Sequence, residues 1–133
     1  MNVLIIDGQG GGIGAQLVSS VMNHFPNYAI TAVGTNGAAT AAMLKAGAKS
    51  VATGENAVIV GCRNADVIVG PIGIVIADSL LGEVTPAMAV AVGQCSGKRI
   101  LIPTNQCDNV VVGVADTSAG LLIQNVIEVI KGL

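Results

Sequence analysis

Val3-Leu4-Ile5-Ile6-Asp7-Gly8-Gln9-Gly10-Gly11-Gly12-Ile13-Gly14 is the stretch that decides the fold. An aliphatic run stops at Asp7, five glycines fall within the next seven positions, and an apolar pattern of helical period starts at Ile13. A strand that passes through a glycine turn into a helix opens a βαβ unit. Such a helix start is also an anion site. Its first backbone N–H groups have no intrahelical acceptor, and only glycine lets a phosphate-sized group come close to them.

Outward from this turn the same alternation continues. Apolar runs of strand length predict strands at 2–6, 28–33, 49–52, 66–69, 99–102 and 110–114. Between them the pattern predicts helices at 13–23, 55–63, 73–81 and 118–131, the last with Leu122, Val126 and Val129 facing inward. A further helix starts at Asn36, a capping residue, and ends at Lys45-Ala46-Gly47, a cation followed by a C-terminal glycine. Thr85-Pro86 starts another, with a capping hydroxyl and then proline at the first helical position. Five or six strands with helical crossovers predict an α/β domain with a doubly wound, mostly parallel, Rossmann-like sheet in three α/β/α layers, spanning residues 1–133.

Composition agrees with that architecture. The chain is 52% hydrophobic and 11% charged, with a net charge of −2, and residues 8–44 hold no Asp, Glu, Lys or Arg. Soluble proteins average ~25% charged residues, and strands of a parallel sheet, covered on both faces, account for such apolar runs. So little charge leaves few groups to solvate a monomer, which predicts a homo-oligomer. The segment 72–94 is the expected contact: Ala87-Met88-Ala89-Val90-Ala91-Val92 has no polar face, and the residues before it are nearly as apolar.

Other classes are excluded. The run 67–77 is bounded by aspartates and too short for the ~20 residues of a membrane helix. Strand-like sequence from Asn2 leaves no basic leader, and Cys62, Cys95 and Cys107 lack paired ligand spacing, so a cytoplasmic protein is expected. Six basic residues, one Tyr, one Phe and no Trp cannot form a nucleic-acid footprint.

In open α/β sheets ligands bind outside the carboxyl ends of the strands. That rule gathers Asp7 and Gln9, Thr35 and Asn36, 53–56, Gly70-Pro71-Ile72-Gly73, 104–107 and 116–118 on one edge. The expected binding set for a nucleotide or dinucleotide, NAD or NADP, is Asp7, Gly8, Gln9, Gly10, Gly11, Gly12, Ile13 and Gly14 of the turn. Thr35, Asn36, Gly70, Pro71 and Ile72 complete it. Gly10 to Ala15 fits G-x-G-x-x-A, and Asp7 to Gly14 looks like the turn of short-chain dehydrogenases with Asp7 in place of threonine. A plainer reading makes the glycines a tight turn that packs the helix on the sheet. The end of the second strand, Val33-Gly34-Thr35-Asn36, has neither an acid for NAD nor an arginine for NADP. Without Lys or Arg on this edge, an anion would depend on backbone dipoles and the 2′-phosphate would be read weakly.

Catalytic patterns are missing. The only tyrosine, Tyr28, is followed four residues later by Ala32, not lysine, and His24 falls on the edge opposite Cys107. Asp7 at the tip of the first strand sits where phosphotransfer enzymes of the haloacid dehalogenase type place their nucleophile, but Asp7-Gly8-Gln9 lacks their second acid. Two enzymatic alternatives are Asp7 with Glu55 and Asp116 around a Mg²⁺, and an exposed Cys107.

Several strings occur together: Ile6–Gly14, Thr35-Asn36, Ala42–Ala48, Ala52–Ala57, Gly70–Ile74, Leu81-Gly82-Glu83-Val84-Thr85-Pro86 and Ile102-Pro103. In these the chain resembles, over nearly its whole length, a family of short bacterial proteins of anaerobic Gram-positive lineages that is catalogued only as a domain of unknown function. The resemblance implies a stand-alone Rossmann-like domain and carries over no activity, substrate or catalytic residue.

Overall fold

The computed structural model describes residues 1–104 and 109–133. Among them β1 (Asn2–Asp7), β2 (Ala29–Gly34), β3 (Ser50–Thr53), β4 (Val67–Pro71) and β5 (Lys98–Ile102) form one sheet in the order β3-β2-β1-β4-β5. Every strand pair is parallel, with Asp7 opposite Gly34 at the ends of β1 and β2. The helices are α1 (Gly12–His24), α2 (Gly37–Lys45), α3 (Glu55–Cys62), α4 (Pro86–Gln94) and α5 (Ala119–Lys131).

Strand side chains alternate between two apolar layers. Val3, Ile5, Val67, Val69, Ile100 and Ile102 pack with Leu17, Val18 and Val21 of α1, Met43 of α2 and Ile127 of α5. Leu4, Ile6 and Ile68 pack on the other side with Val58 and Cys62 of α3 and Met88 and Val92 of α4. The sheet is therefore buried on both faces, which explains why its strands read as unbroken apolar runs. The predicted caps form: Asn36 Oδ1 accepts from Ala39 N–H at 2.8 Å and Thr85 Oγ1 from Met88 N–H at 3.2 Å.

Three expectations are corrected. Residues 110–114 are not a strand; Val110 and Val112 lie 86% and 92% exposed, and Gly113 turns the chain at φ +85°. β-branched residues form strands when a neighbouring strand and an apolar face receive them, and this run has neither. Helical structure over 73–81 is confined to a short 3-10 turn at Ile72–Val75. Ile74-Val75-Ile76 are poor helix formers, and the Ser79 hydroxyl takes the Gly73 carbonyl that a longer helix would use. On α5 the inward stripe is Ile123, Val126, Ile127 and Ile130, with Leu122 partly buried and Val129 exposed, whereas the sequence pointed to Leu122, Val126 and Val129. Apolar residues on several sides of that helix allow more than one stripe, and docking against α1 and β5 selects between them.

β2 and β3 extend the sheet from one side of β1, and β4 and β5 from the other. The strand order reverses between β1 and β4, so the loops leaving these two strands flank the switch point where such sheets bind ligands.

Candidate ligand site at the switch point

Asp7 ends β1 almost fully buried, 6% exposed. Its Oδ1 accepts from Gly8 N–H at 2.8 Å and its Oδ2 from Gly14 N–H at 2.6 Å. Gly11, at the N-cap position of α1, has no side chain to cap the helix, so Asp7 reaches across the turn and takes the third helical N–H. Burial pushes its pKa up, the two N–H donors oppose this, and the charge of Glu83 adds to the rise. Asp7 thus works as a helix cap. Among the described residues no three His, Cys, Asp or Glu gather as a metal site, so Asp7, Glu55 and Asp116 are not brought together. Glu55 instead accepts from Thr85 Oγ1 at 2.6 Å.

The glycines of the turn divide into two groups. A Cβ at Gly8 would lie 2.5 Å from Thr35 Oγ1, one at Gly11 2.8 Å from Ala39 Cα, and one at Gly14 2.7 Å from Asp7 Cβ. Gly11 also needs its left-handed φ of +73°. These three are required by the fold: Gly11 and Gly14 seat α1 against α2 and β1, and Gly8 makes room for Thr35, Leu80 and Glu83. Gly10 and Gly12 have no positive φ, and a Cβ at either would meet nothing within 4 Å. Gly12 and Ile13 open α1, and neither N–H meets an acceptor among the described residues. Two free amides therefore lie under a patch of turn from which side chains are absent without any packing reason.

Across the turn stands Glu83, which sequence reasoning missed. Its Oε1 accepts from Gln9 N–H at 2.9 Å, Thr35 Oγ1 at 2.7 Å and Asn36 Nδ2 at 2.6 Å. Asn36 Nδ2 also donates to Gln9 O at 2.9 Å. The two predicted β2-end residues and the turn are thereby tied together by one carboxylate. Burial disfavours the Glu83 charge, but the donors from Gln9, Thr35 and Asn36 outweigh it and hold the carboxyl below its ordinary pKa. The signal that could have found it was topological: as a carboxylate between β4 and α4, it had to fall on this edge. Reading 73–81 as helix concealed how long that loop is.

The other predicted residues are placed as follows. Gly70 and Pro71 are buried at the end of β4, where a Cβ on Gly70 would lie 2.4 Å from Ile6 O, and Ile72 starts the 3-10 turn. They pack the switch point and bring no polar side chain to it. Cys107 lies outside the described residues. His24 ends α1 exposed, with Nδ1 2.8 Å from Ser20 O. Burial, then the neighbouring Cys95, pushes the Cys62 thiol up to about 11, as befits a core residue. Of the grooves elsewhere, one of about 360 Å³ lies on the β2–β3 face beside α3, without titratable side chains in its lining, and one of about 380 Å³ lies beside the stacked rings of Phe25 and Tyr28.

The chain belongs to the family described as Domain of unknown function (DUF3842), whose model matches residues 2–133. A search of curated proteins returns no match. No helix among the described residues is long and apolar enough to cross a membrane.

Proposed function

We propose that this DUF3842 protein binds a nucleotide or dinucleotide, NAD or NADP among the candidates, across the turn Asp7–Gly14 without itself performing chemistry. The carrying observation is the bareness of Gly10 and Gly12: the fold needs glycine at neither, while the N–H groups of Gly12 and Ile13 stand free beside them. A pyrophosphate on those amides would meet the positive end of α1 and no side chain. Thr35 and Asn36 face the same turn through Glu83. No Lys or Arg lies in the loops of this edge, so the affinity is modest.

Thermal shifts with NAD(H), NADP(H), flavins and adenine nucleotides test this reading. A ligand at ~100 times its Kd adds about 2.7 kcal/mol of stability. Gly12→Val folds, because its side chain enters open space, and loses the shift. A wild-type protein that responds to none of these nucleotides ends the proposal.

We also propose a homo-oligomer formed through residues 72–94, in the cytoplasm. Met88 and Val92 of α4 are buried within the subunit, but Val90 is 53% and Leu81 98% exposed, and the free thiols of Cys62 and Cys95 suit a reducing compartment. Light scattering should give at least two chains, and Val90→Glu should dissociate them. A clean monomer at micromolar concentration would refute this contact.

A further inference from the structure

Dinucleotide-binding sheets of this kind carry an acid at the end of the second strand that accepts the ribose hydroxyls. Here β2 ends in Gly34-Thr35-Asn36 and has none. Glu83 brings a carboxylate to that place from the far side of the switch point, with Oε1 within 2.7 Å of Thr35 Oγ1 and 2.6 Å of Asn36 Nδ2. The donors from Gln9, Thr35 and Asn36 all converge on Oε1, and Oε2 has no partner among the described residues. We propose that Glu83 is the specificity-determining residue of this site, accepting the free ribose hydroxyls of the nucleotide through Oε2 and excluding a 2′-phosphate. The inference rests on the nucleotide reading above and names the ligand class more closely: a nucleotide with an unmodified ribose, NAD before NADP.

Three features fit this role. The donors on Oε1 keep the side chain ionised and fixed, leaving Oε2 as a pure acceptor, the complement of a diol. The loop that carries it is set before any ligand arrives. Asp78 N–H donates to Val84 O at 2.8 Å, Val84 N–H to Ser79 O at 3.2 Å, and Leu80, 2% exposed, anchors the loop in the core. Gly8 is needed at this junction, since its Cβ would lie 2.5 Å from Thr35 Oγ1 and 3.0 Å from Glu83 Oε1. A 2′-phosphate would face this carboxylate with no cation on the edge to screen the pair. On this proposal the site refuses a 2′-phosphate, whereas the sequence of β2 alone leads one to expect little discrimination at that position.

The test is the Kd of NAD and of NADP, by calorimetry, on wild type and Glu83→Gln. The amide oxygen of glutamine still accepts from Gln9, Thr35 and Asn36, so the variant keeps its fold. Wild type should prefer NAD by about tenfold or more, as like-charge juxtaposition requires. Glu83→Gln should bring the two affinities to within about threefold by weakening NAD and admitting NADP. Should that variant not fold, Glu83→Asp, charged but shorter, must weaken NAD and still refuse NADP. An unchanged preference in Glu83→Gln overturns the inference and leaves nucleotide binding standing. Equal tightening of both ligands also overturns it, since Glu83 would then be a plug. A wild type that binds neither NAD nor NADP refutes this inference, and silence toward every nucleotide takes the reading beneath it as well.

Discussion

Two strand-to-helix connections flank the switch point, and they are built on opposite plans. The β1–α1 turn and the first turn of α1 together hold five glycines, yet only Gly11 among them has a positive φ, while the non-glycine Gln9 is at +50°. The β4–α4 loop has one glycine at positive φ, Gly82, and forces Asp78, Leu80 and Leu81 to +64°, +55° and +57°. Asp78, Leu80 and Leu81 take conformations that favour glycine without being glycine, whereas Gly10 and Gly12 are glycine with no conformational or packing need. The first connection is made for room. The second is made for placement: its left-handed residues, each costing roughly 1–2 kcal/mol, turn Leu80 into the core and deliver Glu83 to the opposite turn. Strain of this kind persists only where the surroundings over-determine it, and here three donors and a buried leucine do so.

The strongest way to break this contrast is to remove the anchor of the second loop. Leu80 is 2% exposed, close to the positions where a Cβ on Gly8 or Gly73 would lie. Leu80→Ala should cost ~2–5 kcal/mol in denaturant unfolding, the range for buried leucines. It should also weaken any nucleotide whose ribose is read by Glu83, because the carboxylate is then no longer held in place. A cost below about 1 kcal/mol would mean that the site is not preorganised by burial.

How far the sequence discloses this arrangement differs between the two loops for a physical reason. β1, the Asn36 and Thr85 caps and the parallel sheet were legible because each depends on local chemistry: an aliphatic run, a capping side chain, a proline at the first turn. The β1–α1 turn was legible as well, although sequence alone cannot separate Gly8, Gly11 and Gly14, which the packing needs, from Gly10 and Gly12, which it does not. The β4–α4 loop was illegible because its apolar run suggests a buried helix by pattern, although its β-branched residues favour one weakly. Its course is set by long-range bonds, Gln9 N–H to Glu83 across 74 residues and Thr35 Oγ1 to Glu83 across 48. Val110 and Val112 fail in the reverse sense: their local preference is for a strand, and no neighbouring strand takes it up.

Leu81 gives the smallest effect and the sharpest discrimination. It is held at φ +57°, yet it is 98% exposed, so within its own subunit the side chain returns nothing for the strain. Asparagine tolerates the left-handed region far better than leucine and does not carry the unfolded-state entropy of glycine. If the loop is complete in one subunit, Leu81→Asn should stabilise the protein by up to ~1 kcal/mol, a rise of a few degrees in Tm for a domain of this size. If instead the leucine is covered by a second copy through residues 72–94, the same change should lower Tm and reduce the mass seen by light scattering. A stabilised variant with unchanged mass would leave Glu83 as the reason for the left-handed loop and move the subunit contact to Val90. A destabilised, dissociated one would give the strain a second purpose, the presentation of an apolar side chain to a partner.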